Sequence, residues 1–102
     1  MELQAGDKAP AFKAQDQEGK THQLKDYKGE WLLLYFYPKD NTPGCTKEAC
    51  AIRDNYDGFK KLKAKVLGVS KDSVESHGKF ADKYDLPFPL LADEDLKILK
   101  AY

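Results

Sequence analysis

The sequence predicts an α/β protein in which strands alternate with helices around a sheet of parallel neighbours. Three observations predict it. A wholly apolar or aromatic run, Trp31 to Tyr37, stops at Pro38. A short run rich in β-branched residues, Val66 to Ser70, follows a stretch of helical periodicity, and a third, Phe88 to Ala92, follows another. Strands separated by helical patterns of this length form right-handed crossovers and a sheet with parallel neighbours.

Taken in order, residues 11–16 and 20–24 read as two short strands around the turn Gln17-Glu18-Gly19-Lys20. Leu24 to Gly29 reads as a single turn closed by glycine. Trp31 to Tyr37 has no polar face, the pattern of a central strand buried on both sides. Pro38 ends it because proline cannot donate to the ladder. A loop over 38–42 leads to a helix starting at Pro43, with Thr42 as N-cap and proline at the first helical position. Its apolar positions Cys45, Ala49, Ile52, Tyr56, Phe59 and Leu62 recur at steps of three and four, which marks one buried face. After the strand Val66–Ser70, Asp72 with Glu75 reads as a capping box for a helix over 73–84, with Val74, His77, Phe80 and Tyr84 inward. Phe88–Ala92 reads as an edge strand because of Pro89. Asp93 caps a last helix bearing Leu96, Leu99 and Tyr102. A strand as apolar as 31–37 needs neighbours on both edges. Only 66–70 presents itself as a partner, so the bare edge invites self-association.

Composition narrows the functional classes. The chain has 102 residues, the size of one domain spanning 1–102, with no repeat or linker. Hydrophobic residues make up 41% and charged residues 33%, which argues against disorder. Seventeen basic and 17 acidic side chains cancel, removing the electrostatic basis for nucleic-acid binding. No apolar run is long enough to cross a membrane, and no secretory leader opens the chain, so a cytoplasmic protein is expected. Lys60-Lys61-Leu62-Lys63-Ala64-Lys65 reads as a solvated helix end and Asp93-Glu94-Asp95 as acids in a first helical turn. His22 and His77 are isolated, and with the two cysteines they lack the spacing of a metal module.

The stretch that carries chemistry is Pro38-Lys39-Asp40-Asn41-Thr42-Pro43-Gly44-Cys45-Thr46-Lys47-Glu48-Ala49-Cys50. It places Cys45 in the first turn of a helix, where unpaired N–H groups and the positive dipole end favour thiolate over thiol. Gly44 permits close approach to the backbone. Thr42 sets a hydroxyl beside the sulfur that can accept and donate. Lys47 and Arg53 add positive charge. The plainer reading of Cys45 is a small buried residue that packs at a helix start. Cys50 lies five residues on. In an intact helix the two Cα atoms sit about 8–9 Å apart and face about 140° away from each other. That exceeds the disulfide limit of roughly 7 Å, so a bond between them requires the first turns to unwind. Core packing beside Ala49 and Ile52 explains Cys50 equally well.

Pro38-x-x-x-Thr42-x-x-Cys45 resembles the active-site motif of the peroxiredoxins. The longer string TPGCTKEAC is similar to the peroxiredoxin Q group, also called bacterioferritin comigratory proteins. Gly6-Asp7-Lys8-Ala9-Pro10-Ala11-Phe12 and Leu90-Leu91-Ala92-Asp93 extend the likeness across the chain. The resemblance implies a thioredoxin-like fold that ends here before the C-terminal strand pair and helix of that group. It implies reduction of hydrogen peroxide and organic hydroperoxides without metal or other cofactor. Cys45 matches the peroxidatic cysteine and Cys50 the resolving cysteine of members that form an intrahelical disulfide. Thr42 matches the residue that hydrogen-bonds thiolate and peroxide, and Pro38 the residue that shields the sulfur. Thioredoxin or a similar dithiol is the implied reductant. One departure stands out. The group has an arginine at the sulfur from beyond the last helix here, whereas Arg53 is the sole arginine in this chain. A catalytically impaired fragment or an interaction module is therefore the competing expectation. A thioredoxin-like disulfide oxidoreductase is disfavoured because four residues separate the cysteines instead of two.

Overall fold

The computed structural model describes residues 3–102. Two short antiparallel strands, β1 (Lys13–Gln15) and β2 (Thr21–Gln23), form a hairpin, and a 3-10 turn follows over Leu24–Tyr27. Next come β3 (Trp31–Phe36), α1 (Pro43–Asp54), α2 (Tyr56–Lys61), β4 (Ala64–Ser70), α3 (Val74–Tyr84), β5 (Leu90–Ala92) and α4 (Lys97–Ala101). The sheet is parallel, with order β3-β4-β5.

Alternation along β4 divides the core. On one face Val66, Phe80, Phe88, Leu90 and Ala49 pack beneath α1, α2 and α3, joined by the half-buried Cys45 and Tyr35. On the other, Leu67, Val69, Leu91, Phe12 and Ile98 pack beneath the hairpin and α4. Neighbouring residues of a strand point to opposite faces, so the continuous apolar run of β4 fills both layers. Gly68 is there for room. A Cβ would lie 2.9 Å from Leu90 Cδ2 and 3.0 Å from the Tyr35 ring, which lies across the glycine.

The central position goes to β4. The run 31–37 instead supplies an edge strand with one hydrogen-bonded neighbour among the described residues. Trp31 is 79% and Leu33 40% exposed. An apolar pattern reports what each face can bury and is silent about which strand lies alongside. The opposite edge, β5, is met by Gln17: its amide nitrogen donates to the Phe88 carbonyl (3.2 Å) and its oxygen accepts from Leu90 N–H (2.8 Å).

Three local expectations change. The helix expected from 43 to 62 breaks at Asn55 (φ −106, ψ 11), whose side chain donates to the Ala51 carbonyl at 2.8 Å and competes with the helical bond pattern. Leu62 lies past the second segment and is 73% exposed. Ser73, not Asp72, caps α3: its hydroxyl accepts from Ser76 N–H at 3.1 Å. Asp72 instead takes the Ser70 hydroxyl (2.6 Å) and Asp40 N–H (2.8 Å), while Glu75 faces Lys79 on the surface. The N-cap of the last helix is Leu96, not Asp93, although the Asp93 carboxylate reaches over it to accept from Ile98 and Leu99 N–H at 3.0 Å each. Leu96 takes a left-handed conformation (φ 60), so the helix starts at Lys97 and turns Ile98 inward where Leu99 was expected.

Candidate active site

The site is built on the carboxyl end of β3, where open α/β sheets offer a crevice. Tyr37 and the loop 38–42 carry the chain off the sheet and into α1, which begins at Pro43 as its sequence requires. Thr42 has the extended backbone of an N-cap (φ −93, ψ 154), and its carbonyl accepts the first helical bond from Thr46 N–H at 2.8 Å. Its side chain does not cap. The hydroxyl donates to the Lys39 carbonyl at 3.1 Å. The first-turn N–H groups around Cys45 therefore have no side-chain acceptor, and the Thr42 oxygen keeps lone pairs free to accept.

Both cysteines are free and half-buried. Cys45 packs against the α-helical side of the core near Tyr35 and Tyr37. Arg53 is turned away from it: the guanidinium donates to the Tyr84 carbonyl (2.7 Å) and pairs with Asp54 (3.0 Å), tying α1 to the end of α3. The positive charge expected from Arg53 at the cysteine is thus directed elsewhere.

Sequence reasoning passed over Asp40, and its carboxylate is the best-connected group of the loop. Oδ1 accepts from the Tyr37 hydroxyl at 2.5 Å. Oδ2 accepts from the Ser76 hydroxyl at 2.9 Å and lies 2.7 Å from His77 Nδ1. His77 is fully buried, and its Nε2 is 3.0 Å from the Leu91 carbonyl. Burial opposes ionisation of Asp40, but the bonds from His77 and Tyr37, the charge of His77 and the Ser76 bond outweigh it and hold the carboxyl below its usual range. Burial, followed by the bond to Asp40, raises the Tyr37 phenol far above its usual range, so it remains a donor. Tyr35 is raised too, first by burial and then by Glu48, Asp40 and Cys45; its hydroxyl is buried with no hydrogen-bond partner among the described residues. His77 reads in sequence as a packed histidine, and so it is, with a buried carboxylate as its partner. Side-chain atoms of Asp40, Asp72 and His77 lie within 4.8 Å of one another, and each is already engaged in this network. The second histidine is not isolated either. His22 sits 2.7 Å from Asp16 and 2.6 Å from the Tyr27 hydroxyl, closing the hairpin.

Two clefts flank the loop. One of about 370 Å³ lies toward α3, among Asp40, Asn41, Ser73, Ser76 and Phe80. The other, about 270 Å³ and mostly apolar, lies among Tyr37, Pro38, Val69, Leu96 and Leu99.

Residues 5–102 match the AhpC/TSA family. The chain belongs to that family, among the peroxiredoxins of the Q/Bcp group. It is 50% identical over 102 residues to peroxiredoxin Bcp of Bacillus subtilis, covering all of this chain and 65% of that protein. Peroxidoxin BcpB of Mycobacterium tuberculosis superposes with a TM-score of 0.94 at 34% identity, over 99% of this chain and 66% of that one. The bacterioferritin comigratory protein of Xanthomonas campestris, a structure titled for its alkyl peroxide reduction activity, gives a TM-score of 0.87 at 41% identity, over 88% and 57% of the two chains. This peroxiredoxin chain thus spans less than two thirds of the Bacillus relative's length. The α/β sheet described above is the thioredoxin-like fold of the group. Among the described residues, no helix is long and apolar enough to cross a membrane.

Proposed function

We propose that this chain carries the peroxide-reducing centre of a thiol peroxidase. The observation that supports it is Cys45 in the first turn of α1, behind the N-cap residue Thr42, whose side chain leaves the first-turn N–H groups uncapped. The Cys45 thiolate attacks the terminal oxygen of a hydroperoxide. The O–O bond breaks, the electron pair leaves with the distal oxygen, and that oxygen takes a proton to leave as water or alcohol. Cys45 becomes a sulfenic acid. The first-turn N–H groups stabilise charge moving onto oxygen, and Thr42 accepts from the peroxide O–H. Pro38 shields the sulfur from water.

Cys50 then attacks the sulfenic sulfur. An S–S bond forms, the S–O bond breaks and water leaves. Because α1 is intact through both cysteines, this step unwinds its first turns. A dithiol such as thioredoxin takes the disulfide by exchange and restores both thiols. The cytoplasm, where such reductants keep thiols reduced, is the proposed setting.

A second reading has one observation in its favour. The sole arginine is engaged by Tyr84 and Asp54, leaving no guanidinium for the leaving oxygen. On that reading the chain keeps the motif with an impaired site, or serves as an interaction module. A single turnover separates the two. Reduced protein is mixed with equimolar hydrogen peroxide, and thiols and intact mass are followed. Rapid loss of both thiols, abolished by Cys45→Ser and halted at sulfenic acid by Cys50→Ser, supports the peroxidase. Oxidation at the rate of an unfolded thiol supports the impaired site.

A further inference from the structure

Asp40 is the sole buried residue between Tyr37 and Ala49. Pro38, Lys39 and Asn41 are exposed, and Asn41 stands at φ 59, a backbone setting that asparagine tolerates but that holds nothing in place. The loop that presents Pro38 and Thr42 is therefore anchored by what Asp40 touches. Those contacts come from three directions: Tyr37 at the end of β3, Ser76 and His77 on α3, and the Asp72 carboxylate, which accepts Asp40 N–H. A weaker exposed tether runs from the Tyr84 hydroxyl to Asn41 Oδ1 at 3.1 Å.

Both nitrogens of the histidine are engaged. The Leu91 carbonyl can only accept, so His77 Nε2 carries a proton. Nδ1 lies 2.7 Å from the Asp40 carboxylate and 3.4 Å from the Tyr37 hydroxyl. The ring thus joins α3, the loop and β5 in one buried clasp. Removing one partner leaves the other charge or donor unpaired in the core.

We propose that Asp40 and His77 are positioning residues: their buried clasp sets the loop 38–42 and the first turn of α1, and so places Cys45 for attack, while remaining the fixed end against which α1 unwinds. This rests on the peroxidase reading for its rate consequence and on the fold alone for its effect on the helix start. The alternative is a bond that merely stabilises the fold. The Asp16–His22 pair in the hairpin serves as the control, because it too is a buried carboxylate–histidine contact at 2.7 Å and lies outside the loop.

The two nitrogens of His77 allow a divided test. Asparagine keeps an N–H near the Nδ1 position, toward Asp40, whereas glutamine keeps one near Nε2, toward Leu91. Asp40→Asn, His77→Gln, His77→Asn and His22→Asn, which loses the Nε2 donor that meets Asp16, are compared with the wild-type chain. Two rates are read: Cys45 oxidation by equimolar hydrogen peroxide, and amide hydrogen exchange across residues 43–50. The clasp predicts at least about tenfold slower oxidation in Asp40→Asn and His77→Gln, since small misplacement of a reacting atom is costly. It also predicts faster exchange at the helix start in those two. His77→Asn restores both readouts toward wild type, and His22→Asn lowers the melting temperature without moving either. The proposal is overturned if Asp40→Asn and His77→Gln oxidise and exchange like wild type. It is equally overturned if His22→Asn matches them, or if His77→Asn is no better than His77→Gln. Wild-type Cys45 reacting no faster than an unfolded thiol would sink the peroxidase reading instead, and the exchange comparison would still decide the clasp.

Discussion

Oxidation of the two cysteines to a Cys45–Cys50 disulfide is a perturbation whose structural size can be worked out in advance. Both lie in one unbroken helix, Pro43–Asp54. Five residues of helix put their Cα atoms about 8–9 Å apart, beyond the roughly 7 Å that a disulfide spans. Closing the bond therefore frees the residues from 43 to about 50. The four α-helices hold 12, 6, 11 and 5 residues, so some eight lost residues are about a quarter of the α-helical content. The cost is modest because Ala49 is the sole fully buried residue of α1, while Tyr37, Val66 and Phe88 keep the core beneath it. The assay is far-UV circular dichroism on reduced and oxidised protein, with intact mass confirming the loss of two hydrogens in a monomer. The helical signal should fall by about a quarter and return on reduction. A monomer that has lost both hydrogens but keeps its full helical signal would refute the geometry.

Three other outcomes follow from the packing. Gly68→Ala pushes a methyl against Leu90 and the Tyr35 ring, and overpacking of this kind costs about 1–3 kcal/mol; an unchanged denaturant midpoint would contradict the close approach. The carboxyls of Asp40 and Asp16 are both held below their usual range, Asp16 because bonds from His22 and from Glu18 and Lys20 N–H outweigh its burial. A depressed folded pKa contributes stability that is fully present above the unfolded value of 3.8 and is lost as pH falls through the folded value. Acid titration of the melting temperature should show that loss below 3.8, and Asp40→Asn should shrink it. Leu33→Lys places a charge on the half-open β3 edge, where surface changes cost less than about 0.5 kcal/mol; sedimentation at high concentration should show less association than wild type if that edge is sticky.

Much of the architecture is legible because it rests on period and punctuation. Pro38 and Pro43 bracket the loop, the steps of three and four from Cys45 to Ile52 mark α1, and short apolar runs mark β4 and β5. The position of Cys45 in a first helical turn follows from Thr42 and Pro43 alone. What could not be read was lateral. Nothing in Trp31–Tyr37 tells that β4, and not this run, is flanked on both sides. The Asp40–His77 pair is 37 residues apart in sequence, and neither residue has a local pattern that names the other. A buried histidine on an apolar helix face is a hint that a polar partner exists, because burying an imidazole without one is costly. Asp40, as the one acid between two prolines after a buried strand, was the available candidate. The helix break at Asn55 escaped for a different reason: asparagine is tolerated within helices, and only its side-chain bond to Ala51 shows that it ends this one.

The two margins of the sheet are unlike. Gln17 lends its side-chain amide to β5 as though it were one more residue of strand, satisfying a donor and an acceptor, and β1 lies against that side. The β3 margin has no such cover among the described residues. A sheet open on both sides can add copies without end, in the manner of a fibre. One open on a single side is used up by its first partner. Two copies meeting β3 to β3 would close on a two-fold axis and present β5 outward at both ends, each engaged at Phe88 and Leu90 by its own Gln17. The hairpin amide therefore blunts the β5 margin at Phe88 and Leu90 against the addition of a further strand there.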